Sequence, residues 1–398
     1  MSQVHIAVVS DQILANLIPA LMERPDRMIL ICSESMRRRG EARRQKAVFR
    51  QHDLQADVWD ENIPEGPLDS ILDFSWRLAQ SLQDQNRDAA IVLNATGGTK
   101  LMTLGLVEAF RNSAERILYA NTARARIEVL HDSTAADVPS PSEPMVNVLN
   151  VKEYLAAQGF RLQSSMNEDS AWRNEAKAHK RVCKFLGQHA AELEPLFGIL
   201  NALAGQVFPA DIRSNQESRE YLASPVQHFR HRPAGLWREA LGHLDGQGLL
   251  RWDGNLEVQF PNTESVRFVN GGWLEEYAWH MVHDAGVADC RIGVKGVWSG
   301  AERAGNEFDV LACHLNQLLF IECKTLKFDS GQNDNEIAYK VESLGQDTRG
   351  LLGETWLVTA RNPSEVLRHR ARQARFEVIG PCELPRLNDR VREWMARG

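Results

Sequence analysis

Glu322, Cys323 and Lys324 close an apolar run, QLLFIECK, at residues 317–324. Side chains alternate across a strand, so Glu322 and Lys324 project to the same face. Asp309 lies in the preceding run, EFDVLACH at 307–314, and a tight turn at Leu315-Asn316 places it beside Glu322. Charge within otherwise apolar strands is costly unless it has a partner. Two carboxylates at one sheet end suit a hard divalent cation, Mg2+ or Mn2+, which carboxylate oxygens hold while several waters remain bound. Lys324 adds a compact cation that offsets phosphate charge or positions an attacking water. A further acid comes from the helix expected over 272–284, GWLEEYAWHMVHD. Leu274, Ala278, Met281 and Val282 form its core face, which Glu275 borders, while Glu276 falls with Trp279 and His283 further round. Glu275 is therefore the first choice as the helix's metal-facing acid and Glu276 the second. Gly271-Gly272 ahead of the helix permits close backbone approach. The chemistry of the set is metal-assisted phosphodiester hydrolysis.

A second constellation lies near the amino terminus. Asn94-Ala95-Thr96-Gly97-Gly98-Thr99-Lys100 follows the most apolar expected strand and opens a helix. Adjacent glycines let backbone N–H groups approach an anion, and the helix dipole favours negative charge there. Thr96, Thr99 and Lys100 add hydroxyl donors and a cation. The loop is neither GxxxxGK[ST] nor GxGxxG, so it reads as a phosphate site of another kind. Ser10-Asp11-Gln12 is a comparable polar strand-to-helix turn at the same sheet edge, where doubly wound sheets bind ligands.

The elements that must position these groups follow from periodicity. Strands are expected at 4–10, 28–32, 56–59, 89–94, 116–121 and 126–131, with helices at 12–22, 35–52, 68–83 and 100–111 between them. Strands separated by helices of this length imply a parallel sheet covered on both faces, a Rossmann-like domain over 1–145. Residues 133–144, STAADVPSPSEP, read as a polar, Pro-rich linker. Region 146–269 is expected to hold a helical stretch at 171–203, a helix at 236–250, and strands at 250–260 and 265–269 joined by Pro261-Asn262-Thr263: a winged-helix-like outline. The last segment, 270–398, is a mixed α/β unit.

The composition agrees with a globular protein: 398 residues, 43% hydrophobic and 25% charged. No apolar run is long enough to span a bilayer and no signal peptide is evident, so a cytoplasmic, non-membrane protein is expected. The six cysteines lack any CxxC pair and read as reduced thiols, neither a disulfide frame nor a zinc site. A net charge of -7 argues against bulk coating of nucleic acid but leaves room for a local basic channel. The basic runs at 37–46 and 361–375 read first as solvated helix faces.

The ordered set Glu275, Asp309, Glu322, Lys324 resembles the PD-(D/E)XK nucleases, with Phe308 standing where that family usually has proline. NATGGTK after a core strand resembles the CARF (CRISPR-associated Rossmann fold) family, which senses cyclic oligoadenylates made in type III CRISPR defence. Together the chain resembles the single-CARF nucleases activated by cyclic tetraadenylate. The resemblance implies a homodimer with one cyclic ligand on its two-fold axis and a DNA or RNA substrate. It also implies that Ser10, Asp11, Gln12, Asn94, Thr96, Gly97, Gly98, Thr99 and Lys100 line the ligand site, with Ser33 and Glu34 near adenine or ribose. Two rival readings are a ligand-responsive transcriptional regulator, in which 236–269 reads DNA, and a ring nuclease, in which the first domain cleaves the cyclic ligand.

Overall fold

The computed structural model describes residues 2–135, 142–208, 222–299, 305–325, 332–349 and 352–397. The first unit runs β1 (Ser2–Val8), α1 (Ile13–Glu23), β2 (Arg27–Ile31), α2 (Glu34–Arg38), α3 (Glu41–Gln51), β3 (Ala56–Val58), α4 (Leu68–Gln85), β4 (Ala89–Asn94), α5 (Lys100–Phe110), β5 (Arg116–Asn121), β6 (Arg126–Asp132) and β7 (Glu143–Pro144). Its sheet has the order β3-β2-β1-β4-β5-β6-β7. The strands from β3 to β5 are parallel, as expected, because each is joined to the next by a helical crossover. β6 and β7 depart from the expected parallel sheet and run antiparallel to their neighbours. Only the turn 122–125 separates β5 from β6, which is too short for a crossover.

Two further expectations need correction. The basic helix expected over 35–52 is two helices, broken at Gly40 in the left-handed region (φ 75°). The stretch 133–144 is not wholly a linker: residues 136–141 lie outside the described residues, but Glu143–Pro144 forms the edge strand β7. An edge is where a strand tolerates proline.

The second region contains α6 (Val151–Gln158), β8 (Phe160–Ser164), α7 (Ser170–Gln188), α8 (Ala190–Gln206), β9 (Val226–His228), α9 (Leu236–Gly246), β10 (Arg251–Trp252), β11 (Glu257–Gln259) and α10 (Thr263–Arg267). The hairpin expected across Pro261-Asn262-Thr263 lies earlier, between β10 and β11. The Asp253 carboxylate accepts from the Asn255 and Glu257 N–H groups (2.8 and 3.0 Å), and Gly254 supplies a positive φ. Residues 265–269, expected as strand, are helical because Asn262 Oδ1 caps α10 by accepting from Ser265 N (2.8 Å). The small sheet β10-β11-β9 beside α9 keeps the winged outline.

The third unit begins with a helical stretch, Phe268–Gly272, kinked at Gly271 (φ 146°), followed by α11 (Trp273–Ala285), β12 (Asp289–Trp298), β13 (Gly305–His314), β14 (Gln317–Lys324), α12 (Gln332–Arg349), β15 (Gly353–Thr359), α13 (Glu365–Ala374), β16 (Glu377–Ile379) and α14 (Leu387–Met395). Its sheet order is β16-β15-β14-β13-β12-β8, so β8 from the 146–269 region completes it.

Three large cores hold these layers together. Ile6, Ile71, Phe74, Leu93 and Phe110 fill one side of the first sheet under α4 and α5. The other side shares a single core with the second large sheet: Leu17, Leu30, Phe49 and Tyr154 pack with Phe308, Leu311, Leu318 and Phe320. The far face of that second sheet, with Ile321, Cys323 and Trp356, is closed by α11, α14 and the α7–α9 helices. Among the described residues, no helix is long and apolar enough to cross a membrane.

Candidate functional site

β13 and β14 are antiparallel, with Val310 paired to Ile321, and their turn uses Leu315 and Asn316 at φ 47° and 64°. Two positive φ values in a two-residue turn match the right-handed twist of a hairpin. The next step past the Val310–Ile321 pair carries Asp309 and Glu322. Asp309 Oδ2 accepts from the Cys323 N–H at 2.7 Å. Glu322 is fully buried (0% exposed), and its Oε1 accepts from Lys324 Nζ at 2.6 Å and Lys340 Nζ at 2.9 Å. Its Oε2 is buried and has no hydrogen-bond partner among the described residues.

The electrostatics follow from this crowding. Burial raises Asp309 well above the usual carboxylate range, and the negative charges of Glu322 and Glu275 push it further. Burial likewise lifts Glu275 to about 7, with Glu307 and Glu322 adding to the rise and Lys324 opposing it. Burial also acts to raise Glu322, but the ammonium groups of Lys324 and Lys340 outweigh it and hold the carboxyl low. Lys324 is half-buried, which works against its charge, but Glu322 and Asp309 hold it charged at about 12. The set thus holds three crowded acids and two lysines.

Glu275 and Glu276 leave α11 in different directions. Glu275 belongs to the electrostatic group of Asp309, Glu322 and Lys324. Glu276 Oε2 instead meets His179 Nδ1 at 3.2 Å, on the side of α7. Gly271 makes the close approach expected of it, since a Cβ there would stand 3.2 Å from Thr325 Oγ1. Lys340 was not among the residues expected from sequence. Nothing in the spacing of α12 separates it from any other exposed helix lysine; only the fold carries it to Glu322.

An all-oxygen donor set containing an orphaned, buried Glu322 Oε2 fits a hard divalent cation. Asp309, Glu322 and Glu275 are the residues that could offer it oxygens.

The second constellation sits at the carboxyl ends of β1, β2 and β4, neighbours in the order β2-β1-β4. The chain leaves β1 toward β2 on one side and returns at β4 on the other, so the β1/β4 crevice is the topological switch point. Ser10–Gln12 and Asn94–Lys100 flank it. Within the loop the residues divide into struts and exposed groups. Asn94 is buried and donates to Ala15 O (2.9 Å), while its Oδ1 accepts from the Thr96 N–H (3.1 Å). Thr96 Oγ1 accepts from Ala120 N at 2.7 Å. Gly97 has no room for a side chain, because a Cβ would lie 2.2 Å from Val8 O. Gly98 (φ 86°), Thr99 and Lys100 are exposed, and Thr99 Oγ1 caps α5 by accepting from Met102 N.

The remaining expected positions are tied locally. Ser10 Oγ accepts from Gln12 N (3.2 Å), and Asp11 pairs with Arg39 (2.7 Å). Ser33 caps α2, and Glu34 pairs with Arg38 on the same helix. The buried network behind the crevice was missed in the sequence: Asn16 Nδ2 donates to Val8 O (2.8 Å), and Gln45 Nε2 to Ser10 O (3.1 Å). Both are polar residues at core-facing helix positions, which was the available signal.

Comparison with known proteins adds to this geometry. Residues 4–154 match the Card1 CARF domain, and residues 262–397 match the Card1-like endonuclease domain. No curated protein matches the chain. Among solved structures, protein VC1899 from Vibrio cholerae superposes with a TM-score of 0.81 at 22% identity, covering 99% of this chain and 98% of its own. Can2 from Sulfobacillus thermosulfidooxidans, solved in complex with cyclic tetra-adenylate, gives a TM-score of 0.75 at 22% identity, covering 99% and 97%. These likenesses extend the shared fold across both domains and the region between them. An endonuclease domain of this kind requires a divalent metal. With a Card1 CARF domain joined to a Card1-like endonuclease domain, the chain is a CARF-domain endonuclease, an enzyme that acts on nucleic acid.

Proposed function

We propose that this endonuclease serves type III CRISPR defence and cuts DNA or RNA when a cyclic oligoadenylate seats at the β1/β4 crevice. Segments 1–145, 146–269 and 270–398 then read as sensor, connector and nuclease. Glu322 carries the hydrolytic half: a fully buried carboxylate with one oxygen shared by two lysines and the other without a partner. Asp309, Glu322 and Glu275 would hold Mg2+ or Mn2+, the hard cations that suit oxygen donors. Such an ion, when bound, supplies charge to a phosphate oxygen and acidifies a water. The chain's own groups do the rest. The Cys323 N–H fixes the Asp309 carboxylate, and Lys340 shares the charge of Glu322. That sharing leaves the Lys324 ammonium able to turn toward the scissile phosphate, where it would offset charge or orient the attacking water.

For the sensor, exposed Gly98, Thr99 and Lys100 at the start of α5 offer N–H groups, a hydroxyl and a cation to a phosphate. Can2, with the same fold, was solved with cyclic tetra-adenylate, which makes the ring of four adenylates the first choice. A homodimer is supported by exposed apolar side chains on adjacent helices, Leu68 and Trp76 on α4 and Leu101 and Leu104 on α5. Pairing of such faces would set two loops across a two-fold axis, where one ring with repeated phosphates meets both.

The test incubates purified protein with Mg2+ or Mn2+ and supercoiled plasmid or labelled single strands, with and without cyclic tetraadenylate. Ligand-dependent cutting that Glu322→Gln abolishes is expected. Equal cutting without ligand overturns the sensor role, and cutting unaffected by Glu322→Gln overturns the site.

A further inference from the structure

Where α7 packs on α11, two residues of each helix meet, one helical turn apart: His179 and Cys183 on α7, Glu276 and His280 on α11. The ligand atoms of Cys183, Glu276 and His280 all lie within 4.8 Å of one another. All three residues are buried, at 0%, 9% and 3% exposed. Glu276 Oε2 stands between a nitrogen and a sulfur, 3.2 Å from His179 Nδ1 and 3.9 Å from Cys183 Sγ. Those separations bracket the roughly 3.3–3.7 Å between neighbouring ligands of a tetrahedral zinc, given Zn–N near 2.0 Å and Zn–S near 2.3 Å.

A second observation points the same way. His280 Nε2 lies 2.9 Å from the Ala176 carbonyl, which can only accept. In the neutral ring, which burial favours, Nε2 therefore carries the proton and Nδ1 the lone pair. Orientation of a histidine ligand by a carbonyl on its other nitrogen is a recurring feature of metal centres.

Against the sequence reading of the cysteines as ordinary thiols, we propose that Cys183, Glu276 and His280 form a structural zinc site that clamps α7 to α11, with His179, which meets Glu276 but stands outside that close group, turning in as fourth ligand. Sulfur, nitrogen and oxygen donors together select a borderline-soft ion, unlike the all-oxygen set around Asp309 and Glu322. On binding, a Zn–S bond forms as the Cys183 S–H bond breaks, and the proton passes to water. Glu276 follows Glu275 directly, so clamping Glu276 fixes the rotation of α11 that aims Glu275 at Asp309 and Glu322.

The full chain, expressed with zinc and exchanged into magnesium buffer, is assayed by plasma mass spectrometry. About one zinc per chain is expected in the wild type and in Glu322→Gln, and none in Cys183→Ser. Zinc-stripped wild type titrated with cobalt should develop a thiolate-to-cobalt charge-transfer band in the near ultraviolet, a readout that needs no variant to fold. Wild type without zinc and without that band overturns the proposal. So does zinc that Cys183→Ser retains and Glu322→Gln loses, since the ion would then belong to the hydrolytic site.

Discussion

Asn316 joins the β13–β14 hairpin to the chain leaving the first sheet, and its removal has a cost that can be worked out bond by bond. Its side chain is 1% exposed. Oδ1 accepts from Val148 N (2.9 Å) and Leu149 N (3.1 Å), and Nδ2 donates to Val146 O (2.8 Å). Its backbone sits at φ 64°, which asparagine tolerates better than alanine. Asn316→Ala removes three hydrogen bonds worth ~1 kcal/mol each and adds ~1 kcal/mol of backbone strain, about 4 kcal/mol in all. Asn316→Gly removes the bonds without the strain, about 3 kcal/mol. Asn316→Asp keeps both acceptor contacts but sets a buried carboxylate oxygen against the Val146 carbonyl, so its cost exceeds that of one lost hydrogen bond and falls as acid restores a proton there.

Equilibrium urea unfolding of the full chain, followed by tryptophan fluorescence, measures the series directly. Alanine is expected to destabilise more than glycine, and aspartate more at pH 7 than at pH 5. The reasoning fails if Asn316→Ala lies within ~1 kcal/mol of wild type, or if glycine is as damaging as alanine. The latter would mean that the positive φ of residue 316 carries no strain.

Other outcomes follow from the same structure. Glu275 is raised to about 7 from 4.5, so without metal the folded chain holds a proton that the unfolded chain has already released between those values. Stability of the metal-free protein should therefore fall as pH rises from 4.5 to 7, and Glu275→Gln should flatten that slope in thermal melts. Lys340→Met removes one of two ammonium groups on Glu322 Oε1 and should slow metal-dependent cutting roughly tenfold, the ~1.4 kcal/mol of one charge-assisted hydrogen bond. Single-turnover cleavage at saturating metal reads this, and an unchanged rate would remove Lys340 from the site. Leu104 is 63% exposed on α5, so Leu104→Glu should convert a dimer to monomer in light scattering without lowering the melting temperature.

The residues that could be read from the sequence are those whose role is set by local period. Asp309, Glu322 and Lys324 stand out because charge interrupts apolar strands, and the hairpin that joins them turns at the residues expected, Leu315 and Asn316. The Asn94–Lys100 loop was legible as a helix-opening turn, but the division within it was not: Asn94 and Thr96 are bound internally, while Thr99 and Lys100 face outward. Composition cannot distinguish a polar side chain facing a ligand from one facing its own backbone. Pairings between distant segments were hidden for a different reason. β8 joins a strand more than a hundred residues later, and Lys340 reaches Glu322 from another layer. Cys183 and Glu276 are 93 residues apart, so no short motif could announce them. The misplaced hairpin at 261–263 came from reading 265–269 as a β-rich run when the Asn262 cap decides for helix.

The shared core bears on how a ligand at one end could govern cutting at the other. Ala7 and Val9, at the end of β1 beside the crevice, belong to the same packed cluster as Tyr154 of α6 and as Phe308 and Phe320 of β13 and β14. α6 is fixed at its start, where Glu153 and Asn150 cap each other and Val151 N donates to Asp289 of β12 at 3.0 Å. A close-packed interior does not deform gradually, so a shift at β1 must either stop at its first neighbours or carry α6 with it. Phe308 adjoins Asp309, and Phe320 lies two residues before Glu322, so a second arrangement of α6 that displaced those rings would act on the strands that carry the two acids. A ligand favours that arrangement only by as much as it binds it more tightly, which makes the ratio of its affinities for the two arrangements the upper limit on the activation it can produce.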